Sequence, residues 1–172
     1  MCGEILDAMT SRGASHVALI CPEPGDEYSW SRQIVAGYRQ WCAIRDLRPV
    51  IKTVSSFPTN NELEESLMKV LSGGDIDSIL FGWQDIALRA EAALTRLRPR
   101  QVDTKLASLL SSQDNLHDSY LAGLDLRPYE FGQEAAAVLC DAISTPPTTP
   151  IHQIHAAVVV IPDAKTETQI AK

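Results

Sequence analysis

Residues 77–88 read DSILFGWQDIAL, and the spacing of their apolar residues changes once along this stretch. The run Ser78–Phe81 is short and apolar, which is typical of a β-strand. Ala87 and Ala90 then begin an apolar pattern with helical spacing, so a helix is expected directly after the strand. Asp85 lies at the boundary, where it is expected to cap the helix and to meet the positive end of the helix dipole.

The same alternation of strand and helix recurs along the chain. Apolar runs at residues 17–21, 50–54, 78–81 and 106–110 start at intervals of about thirty residues, the usual length of a βαβ unit. The segments between these runs have helical spacing. Repeated βαβ units with right-handed crossovers predict an α/β domain, with a mainly parallel sheet flanked by helices in a Rossmann-like three-layer α/β/α arrangement.

Turn residues support these boundaries in the first part of the chain. Thr59–Glu62 fits a capping box, in which the threonine accepts from the backbone and the glutamate reaches back, and it opens a helix over residues 63–71. The glycines that follow Ser72 are expected to end that helix.

The remainder of the chain is predicted to have a different organisation. Residues 111–127 lack periodicity and are predicted to form a loop, and a helix with one apolar face is expected from Pro128. Three prolines make residues 144–150 a stiff connector. A last strand is predicted over about residues 152–161, followed by a polar, frayed tail from Lys165. The apolar face of the expected helix consists of Phe131, Ala135, Val138, Leu139, Ala142 and Ile143.

Composition and charge exclude several classes of protein. The 172 residues are close to one ordinary domain of ~150 residues. Hydrophobic residues make up 45% of the chain and the mean hydropathy is -0.07, as in a globular protein. The longest apolar run, Ala156–Pro162, is far too short for a membrane-spanning helix. A net charge of -7 repels phosphate backbones, so this chain is not expected to bind duplex DNA by itself.

Motifs of catalysis and metal binding are absent from the sequence. It contains no nucleophile elbow, phosphate loop or dinucleotide turn, so neither an enzyme nor a cofactor is predicted. The four histidines lack metal-ligand spacing, and the four cysteines are interpreted as small buried apolar residues of a reducing compartment. The first residues do not resemble a signal peptide, which favours the cytoplasm.

The positions of the loops predict a ligand site. Ligands of an open parallel sheet bind at the carboxyl ends of the strands, which lead into residues 22–30, 56–59, 82–85 and 111–119. These loops carry aromatic, amide and charged side chains, a combination that suits a small polar ligand with an apolar face, such as a sugar. The predicted binding residues are Trp30, Arg32, Phe57, Gln84, Asp85 and Gln113.

Each candidate also has a purely structural alternative. Trp30 and Phe57 could seal helix starts against the core, and Asp85 could serve as a helix cap alone. The acidic residues of the first loop, Glu23–Glu27, could form a solvated surface.

Three segments, in order along the chain, resemble the LacI/GalR family of bacterial transcriptional regulators. His16–Ile20, the Pro/Gly-rich loop after it and the residues from Arg32 to Tyr38 are similar to that family's strand, loop and Arg…Gly-Tyr helix. Residues 77–88 resemble the family's strand that ends in Asn-Asp before a helix. Leu124–Ala136 is similar to its segment that returns through a hinge into a helix.

The resemblance implies a periplasmic-binding-protein-like lobe that binds an effector in a crevice between two lobes. Residues 1–123 would be the C-terminal lobe, 124–150 a hinge crossing and a helix toward a first lobe, 151–164 the last strand and 165–172 the frayed tail. It also implies a homodimer, and DNA contacts through a helix-turn-helix head that these 172 residues do not contain.

Several residues depart from the family pattern. Ile34 stands where the family has its effector-binding arginine, and Gln113 stands where a ligand-holding aspartate is expected. Gln84 replaces an asparagine, Ala122-Gly123 replaces a Thr-Thr pair, and Ile161 replaces an arginine. These departures bear on the identity of the effector more than on the fold.

Three functions follow from these observations. The leading interpretation is the effector-binding and dimerisation part of a LacI/GalR-like regulator that senses a small sugar or related polyol. An alternative is a sugar-binding protein or sensor of the same fold without a role in DNA binding. A small α/β hydrolase or transferase is less favoured, because no catalytic constellation can be named.

Overall fold

The computed structural model describes residues 2–23, 29–73, 75–97, 104–110, 120–145, 149, 151 and 156–161. Helices and strands alternate along most of this length. The helices are α1 (Cys2–Ser11), α2 (Ser29–Ile44), α3 (Asn60–Ser72), α4 (Gln84–Leu97) and α5 (Pro128–Ser144). The strands are β1 (Val17–Pro22), β2 (Ile51–Val54), β3 (Ser78–Phe81), β4 (Lys105–Leu110), β5 (Tyr120–Asp125) and β6 (Val158–Val160).

The six strands form one sheet in the order β2-β1-β3-β4-β5-β6. The first five are parallel to their neighbours, and β6 runs antiparallel to β5. The predicted fold class, a mainly parallel sheet flanked by helices, is therefore confirmed. Because β2 and β3 lie on opposite sides of β1, the direction in which strands are added reverses at β1.

Helices cover both faces of the sheet around β1. On one face, Leu19 and Cys21 share a core with α1 and α2. On the other face, Ala18 and Ile20 share a core with α3 and α4. Every residue of β1 is consequently buried, which explains why its sequence is continuously apolar and does not alternate.

Tyr38 fastens α2 to the amino ends of two strands. Its hydroxyl donates to the Val17 carbonyl at 2.7 Å and accepts from the Val50 amide at 3.1 Å. Burial raises the pKa of Tyr38 well above its ordinary value, so the phenol stays protonated and able to donate.

Asp77 ties the start of β1 to the start of β3. Its carboxylate accepts from the amides of Ser15 at 2.8 Å and His16 at 3.2 Å, and from the Ser78 hydroxyl at 2.7 Å. Partial burial raises the pKa of this carboxyl, but the hydrogen bonds outweigh burial and hold the pKa of Asp77 below its usual value. The ionised form is thus the one that the fold favours.

The predicted start of α3 is confirmed, with one difference in the capping box. Thr59 is the N-cap, and its hydroxyl accepts from the Glu62 amide at 3.2 Å. The Glu62 carboxylate extends to Ser55, where it accepts from both the amide and the hydroxyl at 3.1 Å. Hydrogen bonds from the backbone of Ser55 lower the pKa of Glu62. The capping residue therefore also anchors the loop that leaves β2.

Two sequence predictions are wrong at boundaries. The α4 helix begins at Gln84, so Asp85 lies inside the first turn and is not the N-cap, although it still meets the positive end of the helix dipole. The predicted loop over residues 111–127 contains β5, whose six residues are all buried.

Other differences concern the ends of the chain. The α1 helix has no counterpart among the predicted elements. Of the predicted last strand, β6 occupies residues 158–160, while residues 152–155 and the tail from 162 lie outside the described part of the chain. The predicted start of α5 at Pro128 is confirmed.

The α5 helix leaves the sheet and does not pack on it. None of its side chains is buried, and Phe131 is 56%, Leu139 61% and Ile143 72% exposed. Arg127, the residue before the helix, has a left-handed backbone with φ 50 and ψ 54. Its amide donates to the Asp125 carboxylate at 2.8 Å, so the joint between β5 and α5 is short and hydrogen-bonded.

We expect Asp77→Asn to lower the free energy of unfolding by about 1–3 kcal/mol at neutral pH, because hydrogen bonds to a charged acceptor are lost. The native carboxyl has a lowered pKa, so its contribution is complete above the unfolded value of about 4 and declines as the pH falls below it. Urea denaturation of both proteins should therefore give a difference that shrinks on acidification. Asp75→Asn, at an exposed neighbouring position, is the control. Equal losses at pH 7 or a difference that grows in acid would contradict this account.

Candidate functional site

The carboxyl ends of β1 and β3 mark the candidate site. The β1 strand leads into α2 on one face of the sheet, whereas β3 leads into α4 on the other face. The two connections diverge from neighbouring strands, which opens a crevice between them. Ligands of open parallel sheets bind at such a point.

Gly82 brings the turn after β3 against the end of β1. Its amide donates to the Ile20 carbonyl at 2.8 Å. A Cβ atom at this position would lie 2.9 Å from the Cβ of Cys21 and 3.3 Å from the Cδ of Pro22. The close approach of the two segments therefore requires a glycine.

An aromatic pair closes this corner of the crevice. The buried Ser31 hydroxyl donates to the Pro22 carbonyl at 2.7 Å and so holds the start of α2 at the end of β1. Trp30 then meets Trp83 edge to face, with ring centroids 6.4 Å apart and 80° between the ring planes, a favoured aromatic geometry. Trp30 remains 37% exposed, so part of its ring faces solvent at the crevice.

The structure brings several of the predicted binding residues to this corner. Trp30 contacts the turn that leads into Gln84 and Asp85, the first two residues of α4. Gln84 is half-buried and Asp85 is exposed. Arg32 is exposed in the first turn of α2.

Two predicted residues are not part of this cluster as described. Phe57 follows β2 and is 89% exposed, so the alternative that it seals the start of α3 against the core is wrong. Gln113 lies outside the described residues, as do residues 24–28 of the acidic loop.

Arg89 of α4 ties that helix to the loop after β2 and is not among the predicted site residues. Its guanidinium donates to the Pro58 carbonyl at 2.6 Å and to the Asn60 carboxamide oxygen at 2.8 Å. The Asp85 carboxylate lies 4.0 Å away, one helical turn earlier. The i, i+4 spacing of these opposite charges is the signal that could have identified the pair.

A cavity of about 630 Å³ opens on the α2 side of the crevice. Leu80, Leu109 and Leu124, from β3, β4 and β5, contribute to its lining, together with Trp30 and Ile34 of α2. Sequence reasoning does not find this cavity, because it depends on which part of the sheet each helix covers.

The thiols near this region are not suited to nucleophilic chemistry at neutral pH, since a nucleophile must be a thiolate. Burial raises the pKa of Cys2 to about 11 and also raises the pKa values of Cys21 and Cys42. The prediction of buried cysteines holds for Cys21 and Cys42, whereas Cys2 is half-buried. It is wrong for Cys140, which is exposed on α5.

The described part of the chain holds no group of three or more histidine, cysteine, aspartate or glutamate side chains arranged to bind a metal ion. Within the same residues, every helix is too short or too polar to cross a bilayer. His152 and His155 lie outside the described residues.

No family model and no curated protein matches this sequence, but solved structures do match its fold. The trehalose repressor from Escherichia coli is 21% identical, with a TM-score of 0.74 over 92% of this chain and 61% of the repressor. A PurR family transcriptional regulator from Vibrio parahaemolyticus RIMD 2210633 is 17% identical, with a TM-score of 0.73 over 93% of this chain and 60% of that one. A periplasmic ribose ABC transporter from Conexibacter woesei DSM 14684 is also 17% identical, with a TM-score of 0.71 over 94% and 57%. This chain has a periplasmic-binding-protein-like fold.

The fold expected from the resemblance to LacI/GalR regulators is thereby confirmed. The chain spans about three fifths of the length of each of these structures. Two of the three are named as regulators and one as a transporter, and none is named as an enzyme.

The close approach of the turn after β3 to the end of β1 makes Gly82 a position where a single methyl group matters. We expect Gly82→Ala to lower the free energy of unfolding by about 1–3 kcal/mol, because the added Cβ would collide with the Cys21 side chain and backbone. Gly132→Ala is the matched control, since a Cβ there meets nothing within 4 Å and alanine favours the α5 helix. Thermal denaturation should give a lower midpoint for the first variant and no loss for the second. A Gly82→Ala protein as stable as the parent would contradict the described packing.

Proposed function

We propose that this chain is the effector-binding part of a LacI/GalR-like transcriptional regulator, with a small sugar or related polyol as the effector. The observation that carries the proposal is the corner formed by Trp30 and Trp83 at the reversal of strand order, beside Gln84 and Asp85. A flat aromatic ring beside amide and carboxylate groups suits the apolar face and the hydroxyls of a sugar. The shared fold with a trehalose repressor and a ribose transporter supports this choice.

The action that follows is a population shift between two arrangements of lobes. Residues 1–123 form the C-terminal lobe in this proposal, residues 124–150 cross toward a first lobe, and residues 151–164 return as the last strand. An effector in the crevice favours the arrangement in which both lobes contact it. In this proposal DNA is contacted through a helix-turn-helix head elsewhere in the assembled regulator, and the proposed location is the cytoplasm.

A sugar-binding protein or sensor of the same fold is the second candidate, and the likeness to a periplasmic ribose transporter favours it. An enzymatic role has less support, because burial keeps the thiols of Cys2 and Cys21, the cysteines nearest the crevice, in their protonated form. No cofactor or metal enters the proposed function.

Effector binding can be tested on the chain itself by following its three tryptophan indole N–H signals by NMR. During titration with neutral sugars and polyols, we expect the signals of Trp30 and Trp83 to shift. For sugars and polyols without an apolar substituent, Trp41 is the internal reference, because its indole N–H donates to Asp7 at 2.7 Å. Affinity should be weak, with Kd of about 1 mM, since one lobe supplies only part of the contacts.

The double variant Gln84→Ala/Asp85→Ala should weaken this binding at least fivefold, because it removes the polar groups at the corner. Asp75→Ala, at an exposed site at the other end of β3, is the matched control and should bind as the parent does. The proposal fails if none of the sugars moves Trp30 or Trp83, or if the double variant binds them unchanged.

The proposal includes a homodimer, and the exposed apolar side chains of α5 supply the physical incentive. Burying a side chain the size of Leu139 or Ile143 is worth ~1.5–3 kcal/mol, so several together favour a partner surface. Exchange of the segment after Leu124 between two chains is one route to such a dimer.

Light scattering coupled to size exclusion at micromolar concentration should give twice the chain mass of 18.8 kDa. The variant Leu139→Asp/Ile143→Asp should shift the mass to that of the monomer. Met68→Asp, which alters a 47% exposed residue on α3, is the control and should remain dimeric. A monomeric parent protein would overturn the dimer.

A further inference from the structure

The cavity beside α2 has the size and the lining of a small-molecule site. Its volume of about 630 Å³ lies within the ~300–1,000 Å³ that such sites occupy. Trp41, Leu80 and Leu124 on its walls are at most 5% exposed, so these walls are held by the surrounding core. The floor of the cavity is therefore part of the core, whereas its rim includes the exposed side chains of Trp30, Ile44 and Leu126.

The charged groups at the cavity are already engaged with each other. Arg45 lies 2.6 Å from the Asp7 carboxylate, and its guanidinium also stands 4.6 Å from the centre of the Trp41 ring. The Trp41 indole N–H donates to the same carboxylate at 2.7 Å. The leucine side chains offer no hydrogen-bonding group, so a hydroxyl or charged group that loses its water against them costs about 1–3 kcal/mol. The described lining also includes Gln33 and Gln40, which belong to α2 and not to the leucine-lined floor.

The cavity adjoins the proposed effector corner at Trp30. Trp30 lines the cavity and also contacts Trp83, so one side chain forms a wall of both spaces. Ile34, one helical turn further along α2, presents an apolar side chain to the cavity. A single ligand can thus place a polar part at Gln84 and Asp85 and an apolar part behind Trp30.

We propose that the effector is amphipathic, namely a sugar or polyol that carries an aryl or branched alkyl group, and that the cavity beside α2 binds this apolar group. The inference rests on the proposed function, because it names the class of ligand for the same crevice. It also assigns Ile34, Leu124 and Leu126 as residues that determine specificity.

The first experiment uses an uncharged fluorescent probe, N-phenyl-1-naphthylamine, which needs no sugar head group. We expect one probe to bind per chain with enhanced fluorescence and with a shift of the Trp41 indole signal. Ile34→Arg, which places a long charged side chain in the cavity, should weaken probe binding at least tenfold, whereas Ile34→Val should not. Thermal denaturation of both variants checks that they are folded.

Two controls locate the probe. Met68→Arg introduces the same charge at a half-exposed residue on the other face of the sheet and should leave binding unchanged. Leu139→Arg introduces the same charge on α5 and should also leave binding unchanged. Loss of binding in Leu139→Arg with retention in Ile34→Arg would place the probe on α5, and would overturn the proposal, as would an unmoved Trp41 signal.

The second experiment compares methyl and phenyl β-D-glucosides and the corresponding pair of galactosides as competitors of the probe. The phenyl member of each pair should displace the probe at a concentration at least tenfold lower. Equal displacement by both members, or displacement by neither, overturns the assigned ligand class. If sugars still shift the indole signals of Trp30 and Trp83 in that case, the proposed effector function stands. Probe binding in the cavity without any response to sugars would instead refute the effector function and retain the apolar site.

Discussion

The carboxyl edge of this sheet depends on the contact between Gly82 and the end of β1. Leu80 and Phe81 pair with Leu19 and Ile20 in register, and the Gly82 amide adds one further bond beyond the end of β3. Because glycine has no side chain, the turn lies directly on the Cys21 backbone. The two helices that follow therefore start side by side, although they lead to opposite faces of the sheet.

A polar region and an apolar region lie close together on either side of this contact. Above it, the edge-to-face tryptophans stand beside Gln84 and Asp85, where water and polar groups are accessible. Behind Trp30, the leucines of three strands form an apolar space whose neighbouring charges neutralise each other. One end of the site favours polar groups and the other end favours apolar groups. The site therefore selects a ligand by the arrangement of its polar and apolar groups as well as by its size.

Prediction from sequence succeeds here where burial is local and fails where it depends on distant packing. The β1 and β3 strands are recognisable because burial on both faces makes them continuously apolar. The β5 strand is not, because Gly123 and Asp125 interrupt its apolar run and its burial comes partly from α1, which is distant in the sequence. For the site, the ends of parallel strands indicate Trp30 and Gln84. The Arg89 bridge and the cavity depend on how helices pack, which no local pattern records.

The short connection at Arg127 sets the direction of the long α5 helix relative to the sheet. The helix has 17 residues and is therefore ~25 Å long. Its base is clamped, because β5 is paired on both sides and Asp125 holds the Arg127 amide. A rotation of about 10° at this base displaces the far tip by ~4 Å over that length. Leu126, which adjoins the joint, also lines the cavity, so the base of this long helix and the cavity wall share one side chain.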